Sequence, residues 1–443
     1  MQNQNAIAEK LVTVYFVGLA VLMNYFINNS FYFARILLSY QHLFMIIIIV
    51  SGIAYFLVYP NLGRIYVIGQ SALAYSVALF VTATVSLFIW FTKQTPIPII
   101  ERGINSYFIY KCDISGALCA GVFLYIWGEK GIWRYLTAVI IANFMTILTI
   151  MAQNGVGEYM QQFITLVTTF ARVTGPLMLK AEVHELAFCL GGFLLLMILF
   201  PKYIKEHPLL FSLAGFGFLS AFKRIAILAI GVAFVTGFLL LRFSKIRNSY
   251  HISKIISMVL IVITVLLLGY IALVKNDFFT DLELAGVETS GRDVIYRHLN
   301  RFYEFSPSFT GNGMAFTVYQ MKEMEGSKVA VVSAHNDFLM MFIDLGFVGF
   351  LLWYLAFTVV RTKFFGREKH IRAEIFVFAL IIMQIINSCT DNTLLYPLFS
   401  LTVAMLMMSC DFDKRVRNAD RRFFGFISDA NKSEVERENT HDQ

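Results

Sequence analysis

Residues 255–274 of the chain read IISMVLIVITVLLLGYIALV, an uninterrupted apolar run without a charge. A helix of about 20 apolar residues is long enough to cross the hydrocarbon core of a bilayer, so this stretch predicts a transmembrane helix. A polar segment of about 60 residues, 275–334, follows it, and another apolar run begins after His335. The sequence therefore predicts a large polar loop between two membrane spans.

The composition of the whole chain supports the same class of protein. Hydrophobic residues make up 58% of the chain and charged residues only 15%, with a mean hydropathy of +0.67. A soluble domain carries closer to a quarter charged residues, so we predict an all-α polytopic membrane protein. A net charge of +7 would suggest a nucleic-acid partner in a soluble protein. Here the cations lie largely in short loops between apolar runs, and we expect no nucleic acid.

Apolar segments recur along most of the chain. A window of about 20 residues selects about twelve candidate transmembrane helices. They lie at 11–28, 40–59, 65–91, 105–127, 132–151, 182–200, 208–221, 225–241, 255–274, 336–359, 373–388 and 394–410. The predicted organisation is nine helices in 1–274, an extracytoplasmic loop at 275–334, three helices in 335–410, and a cytoplasmic tail at 411–443. The tail is charged and is expected to be disordered from Asn431.

Basic residues predict the orientation of these helices. Three clusters of Lys and Arg fall on one side if the helix count is twelve, and the positive-inside rule makes that side cytoplasmic. The clusters contain Arg242, Lys245, Arg247 and Lys254; Arg361, Lys363, Arg367, Lys369 and Arg372; and Lys414, Arg415, Arg417, Arg421 and Arg422. Both termini are then cytoplasmic, and the loop 275–334 faces outward. Residues 158–180 show an amphipathic pattern and are expected at the membrane interface or in a cavity.

The cysteines give no sign of a metal site. Cys112, Cys119, Cys189, Cys389 and Cys410 are scattered without metal-binding spacing. We interpret them as small apolar residues in or beside the spans. No metal and no cofactor are expected.

Lys223 and Arg224 are adjacent cations between two apolar runs, on the side predicted to face outward. Positive charge is disfavoured in short loops on that side. One interpretation is a snorkelling pair that anchors a helix end. The other is a binding site for an anion.

Arg292 lies near the start of the outer loop. Ser290 followed by Asp293 resembles a capping box, so a helix is expected to begin here with Arg292 in its first turn. The free N–H groups of a helix start favour anions, whereas a cation there opposes the helix dipole. A bound phosphate would account for this arginine. A surface ion pair with Asp293 or Glu288 is the alternative.

His335 ends the outer loop. Asn336 or Asp337 could cap the following helix, which would leave His335 as an interfacial bystander. Alternatively, His335 acts as a general base, since imidazole can take up a proton near neutral pH. Gly311 and Gly313 stand in a turn between Arg292 and His335, where glycine lets the backbone approach a ligand closely.

The order and placement of these motifs resemble the O-antigen ligase and Wzy polysaccharide polymerase superfamily. The residues that carry the resemblance are Lys223-Arg224, 291–296 (GRDVIY), Gly311-Asn312-Gly313, 335–339 (HNDFL) and 344–349 (DLGFVG). The resemblance covers roughly residues 209–397. The chain departs from the family where Lys223 replaces a common Ser and where Tyr296 replaces a common Trp.

The resemblance implies a metal-independent, inverting, GT-C-like glycosyltransferase at the outer face of the bacterial cytoplasmic membrane. Its donor would be a glycan linked to polyprenyl pyrophosphate. Arg224 and Arg292 would bind the pyrophosphate, and His335 would take the proton of the acceptor hydroxyl. Further candidate substrate contacts are Lys223, Tyr296, Arg297, Arg301, Asn336, Gly311 and Gly313. Besides the lipid-linked oligosaccharide and the bilayer, the partners would be a flippase and a chain-length regulator of the same pathway.

Three functions remain open at this point. A polymerase of O-antigen, capsule or exopolysaccharide repeat units is the favoured reading, and a ligase that moves the glycan to a different acceptor is the alternative within the superfamily. A flippase or transporter of lipid-linked sugars is the alternative from another class. Transporters usually contain two related halves with broken helices, whereas the polar residues here are concentrated in one outer loop.

Overall fold

A computed structural model describes residues 2–26, 40–93, 97–169, 184–221, 223–246, 248–286, 289, 291–325, 334–366 and 371–421. Every regular element within these ranges is a helix, which confirms the predicted all-α class. Several predictions fall outside the described residues. They concern Arg247, Glu288, Ser290, Arg367, Lys369, Arg422, the amphipathic segment beyond residue 169, and the tail from residue 431.

The first half of the chain forms helices of very different lengths. They are α1 (Gln2–Tyr25), α2 (Tyr40–Val58), α3 (Leu62–Tyr75), α4 (Val77–Thr92), α5 (Ile99–Trp127), α6 (Gly131–Asn154), α7 (Val156–Thr169), α8 (His184–Leu199), α9 (Lys202–Glu206) and α10 (Pro208–Ser220). α1 packs against α2 and α6, and α3 packs against α5. These contacts form the N-terminal half of the helical core.

The second half supplies the remaining helices. They are α11 (Arg224–Phe243), α12 (Ser249–Lys275), α13 (Phe278–Leu284), α14 (Arg292–Leu299), α15 (Phe316–Glu325), α16 (Asp337–Leu355), α17 (Arg361–Gly366), α18 (Ile371–Ser388) and α19 (Pro397–Met408). A π-helical segment, Ala356–Val360, joins α16 to α17, and residues 412–421 form a further helix, α20. α19 packs against α5 and α8, and α11 packs against α18, so the two halves share one core.

The described helices confirm a polytopic membrane protein. Seven helical stretches are long and apolar enough to cross a membrane, or eight when α3 and α4, which meet at a 49° bend, count as one span. Three shorter apolar helices, α8, α10 and α19, lie among them. Together these elements overlap every apolar segment predicted from the sequence. The number of about twelve crossings stays a prediction.

The predicted span 336–359 is not one regular helix. Gly346, in the middle of α16, has φ 73° and ψ −177°, which interrupts the helix. Residues of the outer loop fill this break, and the Phe347 N–H donates to the carbonyl of Phe309 at 2.9 Å. The helix then continues through the π segment to Gly366. The outer loop is therefore built into the helical core at the break.

Arg361, which the sequence groups with the basic cluster at 361–372, is buried. Its side chain is 1% exposed, pairs with Asp113 at 3.4 Å, and donates to the Tyr75 carbonyl at 2.8 Å. The guanidinium also lies over the rings of Tyr75 and Phe357. Asp113 accepts a second hydrogen bond from Ser400 at 2.8 Å. A buried cation needs such partners, and here they tie α5, α17 and α19 to the α3–α4 bend.

The loop 275–334 is partly helical, as predicted, because α13, α14 and α15 lie within it. Lys275, at the end of α12, donates to the Asn300 carbonyl at 2.5 Å. Asp344 of α16 accepts from the backbone N–H and the hydroxyl of Thr317 at 2.8 and 2.6 Å. These contacts hold the loop against the helices that carry the candidate site.

The cysteines are free thiols, in agreement with the sequence prediction. Three of them are buried and two are partly buried. The buried ones are Cys112, Cys119 and Cys189, and the partly buried ones are Cys389 and Cys410. Their environment is that of small apolar side chains.

Candidate active site

The centre of the candidate site is the connection between α18 and α19, residues 389–396. Asp337 accepts from the Thr393 hydroxyl at 2.8 Å and from the Leu394 N–H at 3.1 Å. Glu185 of α8 accepts from the Leu398 N–H at 2.5 Å and thereby caps α19. Two carboxylates from distant parts of the chain thus fix this connection between the helices.

Asp391 is the most heavily contacted residue of this connection. Its side chain is 2% exposed and forms an ion pair with Lys223 at 2.5 Å. The Tyr396 hydroxyl donates to the carboxylate at 2.6 Å, and His335 Nδ1 lies 3.8 Å from it. Burial opposes ionisation, but the contacts with His335 and Lys223 outweigh it and lower the pKa of Asp391 below its usual value. Asp391 is therefore a fixed negative charge between two basic groups.

His335 stands at the junction between the outer loop and α16. Its φ of 48° lies in the left-handed region, and Asn336 caps α16 by accepting from the Leu339 N–H at 3.0 Å. The cap confirms that α16 begins here, as the sequence predicted. The His335 side chain is 44% exposed, and its Nδ1 faces Asp391 and the Asn392 amide, the latter at 3.5 Å. Nε2 is then the ring nitrogen that is placed to accept a proton from a bound substrate.

Arg292 approaches the same connection from the outer loop. It is the first residue of α14, as predicted, and its terminal nitrogen donates to the Thr390 carbonyl at 2.9 Å. Arg292 Nε is buried and makes no hydrogen bond within the described part of the chain. A buried guanidinium N–H without a partner is costly. An anion bound beside Thr390 would satisfy it.

The Ser290 side of the predicted capping box at the start of α14 lies outside the described residues. The residue that immediately precedes the helix is Gly291, with φ 77°. Asp293 accepts from the Thr289 hydroxyl at 3.2 Å and pairs with Arg297 at 3.5 Å. Glycine at this position allows the left-handed backbone that directs the chain into the helix.

The two adjacent cations predicted at 223–224 have different environments. Lys223 is the N-cap residue of α11 and turns inward to Asp391. Arg224, the first residue of α11, is exposed. Consecutive Cα atoms are about 3.8 Å apart, so Arg224 begins beside the same cluster. The cations at 223 and 224, Arg292 and His335 therefore all belong to one end of the helical core.

Tyr296 and Asn336, both predicted substrate contacts, are buried. Tyr296 is 2% exposed and packs edge-on against Phe279 at 4.8 Å. Burial raises its pKa, and the nearby charge of Arg292 opposes the rise. Asn336 donates to the Tyr270 hydroxyl at 3.2 Å. Tyr296 thus lies near Arg292, and Asn336 fixes the start of α16.

Arg297 and Arg301 lie on the surface of the outer loop. Arg297 is 54% exposed and pairs with Asp293 of its own helix. Arg301 is exposed in the turn after α14. Their assignment to glycan or phosphate contact stays a prediction.

Gly311 and Gly313, which were predicted to let the backbone approach a ligand, lie against other helices of the protein. Both are buried with positive φ, 82° and 88°. A Cβ at Gly311 would lie 2.4 Å from the Gly346 nitrogen, and one at Gly313 would lie 2.1 Å from the Trp90 indole nitrogen. The close approach that these glycines allow is to α16 and α4.

Asp391 was not among the residues selected from the sequence. It lies in the short stretch 389–393, which the sequence predicts only as the connection between the spans 373–388 and 394–410. The signal was present, because an acidic residue beside membrane spans on the side of Lys223 and His335 suggests function. What the sequence lacked was the contact between these distant positions.

Residues 209–354 match the family model Wzy_C, described as O-antigen ligase. This match supports the resemblance of the segment to the O-antigen ligase/Wzy superfamily. The matched segment contains Lys223, Arg224, Arg292 and His335 and ends before Asp391. Curated proteins and solved structures give no match. The match supports, broadly, a ligase- or polymerase-type enzyme that acts on a lipid-linked glycan in the bilayer.

The candidate site combines cations and an imidazole with the carboxylate of Asp391. Within the described ranges, no group of three or more His, Cys, Asp or Glu side chains is arranged to hold a metal ion. Arginine binds phosphate oxygens through two parallel N–H groups, and lysine binds them as a point charge. The site can therefore bind an anionic group beside a proton acceptor.

Proposed function

We propose that this protein is a polysaccharide polymerase that joins glycan repeat units linked to polyprenyl pyrophosphate at the outer face of the membrane. The observation that carries the proposal is the convergence of Arg292, Lys223 and His335 on residues 390–392. The match of residues 209–354 to the O-antigen ligase family model supports the same reaction class.

The proposed reaction needs cations more than it needs an acid. Pyrophosphate is already a stable leaving group, so the departing charge is stabilised by fixed positive groups. Arg292 and Arg224 would bind its oxygens, and the buried Arg292 N–H beside Thr390 is suited to this. Removal of one such preorganised donor typically costs about 10²–10³-fold in rate.

His335 would act as the general base. The acceptor hydroxyl attacks the anomeric carbon from the face opposite the pyrophosphate, so the carbon–phosphate oxygen bond breaks and the configuration inverts. The hydroxyl proton passes to His335 Nε2, because Nδ1 faces the carboxylate of Asp391. Asp391 stabilises the imidazolium that forms and holds the ring in place. General-base help of this kind contributes about 10²–10⁴-fold.

The test is the glycan pattern of a strain that lacks this protein, complemented with single variants. Arg292→Ala and His335→Ala should each abolish polymer while the protein still inserts into the membrane. Arg134→Ala, which removes an exposed arginine of α6, is the matched control and should restore normal polymer. Normal polymer from both Arg292→Ala and His335→Ala would refute the assignment.

Transfer to a different acceptor is the second candidate function, because the matched family is described as O-antigen ligase. The same strain separates the two. Loss of a polymerase leaves single repeat units, whereas loss of a ligase leaves long chains on the lipid carrier. Accumulation of lipid-linked repeats on the cytoplasmic leaflet would instead indicate a flippase.

A further inference from the structure

A polar cavity of about 290 Å³ lies far from the candidate active site, between α3 and α20. Tyr66 and Gln70 line it from α3, and Arg415, Asn418 and Arg421 line it from α20. α19 starts beside the 389–396 connection and runs for 12 residues, about 18 Å, before the chain reaches α20. The cavity is therefore at the opposite end of the core, on the side that the basic clusters predict to be cytoplasmic.

Arg415 is held in a fixed position within this cavity wall. Its side chain is only 9% exposed and donates to the Ser71 hydroxyl at 2.8 Å. The guanidinium also lies over the ring of Phe364, with 5.4 Å between its carbon and the ring centroid. Because the side chain is already ordered, binding through it costs little conformational entropy.

The charges around the cavity favour an anion. Arg421 adds a second, exposed cation, and Gln70 and Asn418 add neutral donors. Asp420 belongs to the same helix, but its carboxylate lies against α3 at Gly63, where a Cβ would be 1.9 Å from it. The lining of the cavity thus combines two guanidinium groups with amide donors, a set that suits phosphate oxygens.

We propose that this cavity binds the headgroup of an anionic membrane phospholipid. The exposed face of α3 favours a lipid over free phosphate. Tyr66, Gln70 and Leu73 follow one another at helical spacing on that face, and Leu73 is 61% exposed. The phosphate lies between Gln70 and the arginines, while an acyl chain follows Leu73 towards the membrane centre. Tyr66 lies near the N-terminus of α3, and tyrosine is typical of the membrane–water interface.

The cytoplasmic leaflet supplies such a ligand. Anionic lipids attract basic groups at this level of the membrane. A lipid between α3 and α20 joins the start of the third span to the helix after the last one. The proposed consequence is a specific stabilisation of the end of the protein opposite the candidate active site.

The experiment is native mass spectrometry of the full-length protein with phosphatidylglycerol or phosphatidylcholine of identical acyl chains. The wild type should retain one phosphatidylglycerol more strongly than phosphatidylcholine. Arg421→Ala removes an exposed cation and should weaken phosphatidylglycerol binding about fivefold. Arg417→Ala, an equal charge change on α20 that does not line the cavity, should leave binding unchanged.

Three outcomes would overturn the proposal. Equal retention of the two lipids removes the role of headgroup charge, and wild-type binding by Arg421→Ala removes this cavity as its location. Inorganic phosphate tests the source of the anion in a thermal-unfolding assay. If it stabilises the protein as much as phosphatidylglycerol does, and Arg421→Ala abolishes both effects, the site takes free phosphate. The proposal does not depend on the glycosyl-transfer function, since no residue of the candidate active site is involved.

Discussion

Lys223 and Asp391 form an ion pair of 2.5 Å, although they come from helix connections far apart in the sequence. Asp391 is 2% exposed and Lys223 is 20% exposed, so the pair is largely removed from water. Removal of one partner from a buried pair leaves an uncompensated charge. The pair therefore couples the position of the α10–α11 connection to that of the connection that receives Arg292 and His335.

Lys223→Met should destabilise the protein by about 3 kcal/mol, because Asp391 would stay buried without its cation. Asp391→Asn alone should destabilise it as well, since Lys223 then loses its carboxylate. The double variant should be more stable than the sum of the two single changes predicts. Thermal unfolding of the four proteins measures this coupling. Strictly additive effects would show that the pair contributes no coupling energy.

Asp391→Asn should also lower activity by more than its loss of stability explains. The amide keeps the size of the side chain but cannot stabilise a protonated His335, so the turnover of lipid-linked glycan should fall by about 10² or more. The Lys223→Met/Asp391→Asn protein should remain inactive even where its stability recovers. Recovery of activity along with stability would mean that Asp391 has a structural role only.

Arg292→Lys should lose most activity although the charge is kept. Arg292 donates to the Thr390 carbonyl through one nitrogen and carries a second, buried N–H without a partner among the residues that the structure describes. A lysine ammonium cannot reproduce the planar fork that serves both positions. We expect a rate decrease of about 10²-fold or more. The rate is measured with purified lipid-linked glycan, and Arg134→Lys on α6 is the matched control.

The pH dependence of stability tests the environment of Asp391. Its pKa in the folded protein lies below the ordinary value of 3.8 because of His335 and Lys223, despite the opposing effect of burial. A lowered folded-state pKa stabilises the protein above the unfolded value, and this contribution is lost only as the pH falls through the folded value. The melting-temperature difference between wild type and Asp391→Asn should thus not shrink as the pH falls from about 8 to 5. A difference that already shrinks between pH 7 and 5 would contradict the assigned charge state.

The sequence predicted the elements of this protein better than their contacts. Apolar runs report directly whether a helix suits a membrane, and the start of α14 at Arg292 and the cap at Asn336 followed from local rules. The break at Gly346 was missed because hydropathy does not reveal backbone dihedral angles. Asp391 was missed because its meaning depends on Lys223, which only tertiary packing brings near.

The same limit explains the misread arginine and glycines. Arg361 looks like a loop cation in sequence, since its partner Asp113 is remote. Gly311 was correctly expected to allow a close approach, but the approaching group is the backbone at Gly346. In each case the residue type indicates the kind of contact that is required, and only the fold shows which residue makes that contact.

Gly311→Ala should destabilise the outer loop strongly. Gly311 has φ 82°, and an added Cβ would lie 2.4 Å from the nitrogen of Gly346 and 2.6 Å from the carbonyl oxygen of Asp344. Both atoms are backbone, so the break in α16 would have to open to accept the methyl group. Gly286→Ala separates this clash from backbone strain, because Gly286 has the same φ of 82° and no atom of the described residues lies within 4 Å of its Cβ position.

The control should lose only the cost of a left-handed backbone, about 1–2 kcal/mol, whereas Gly311→Ala should lose that and more. Limited proteolysis of the loop 275–334, together with thermal unfolding, measures both variants. Because the loop carries Arg292, a loosened Gly311→Ala loop should also lower activity, and Gly286→Ala should not. Equal melting temperatures for the two variants would show that contact between the outer loop and the α16 break adds nothing to stability.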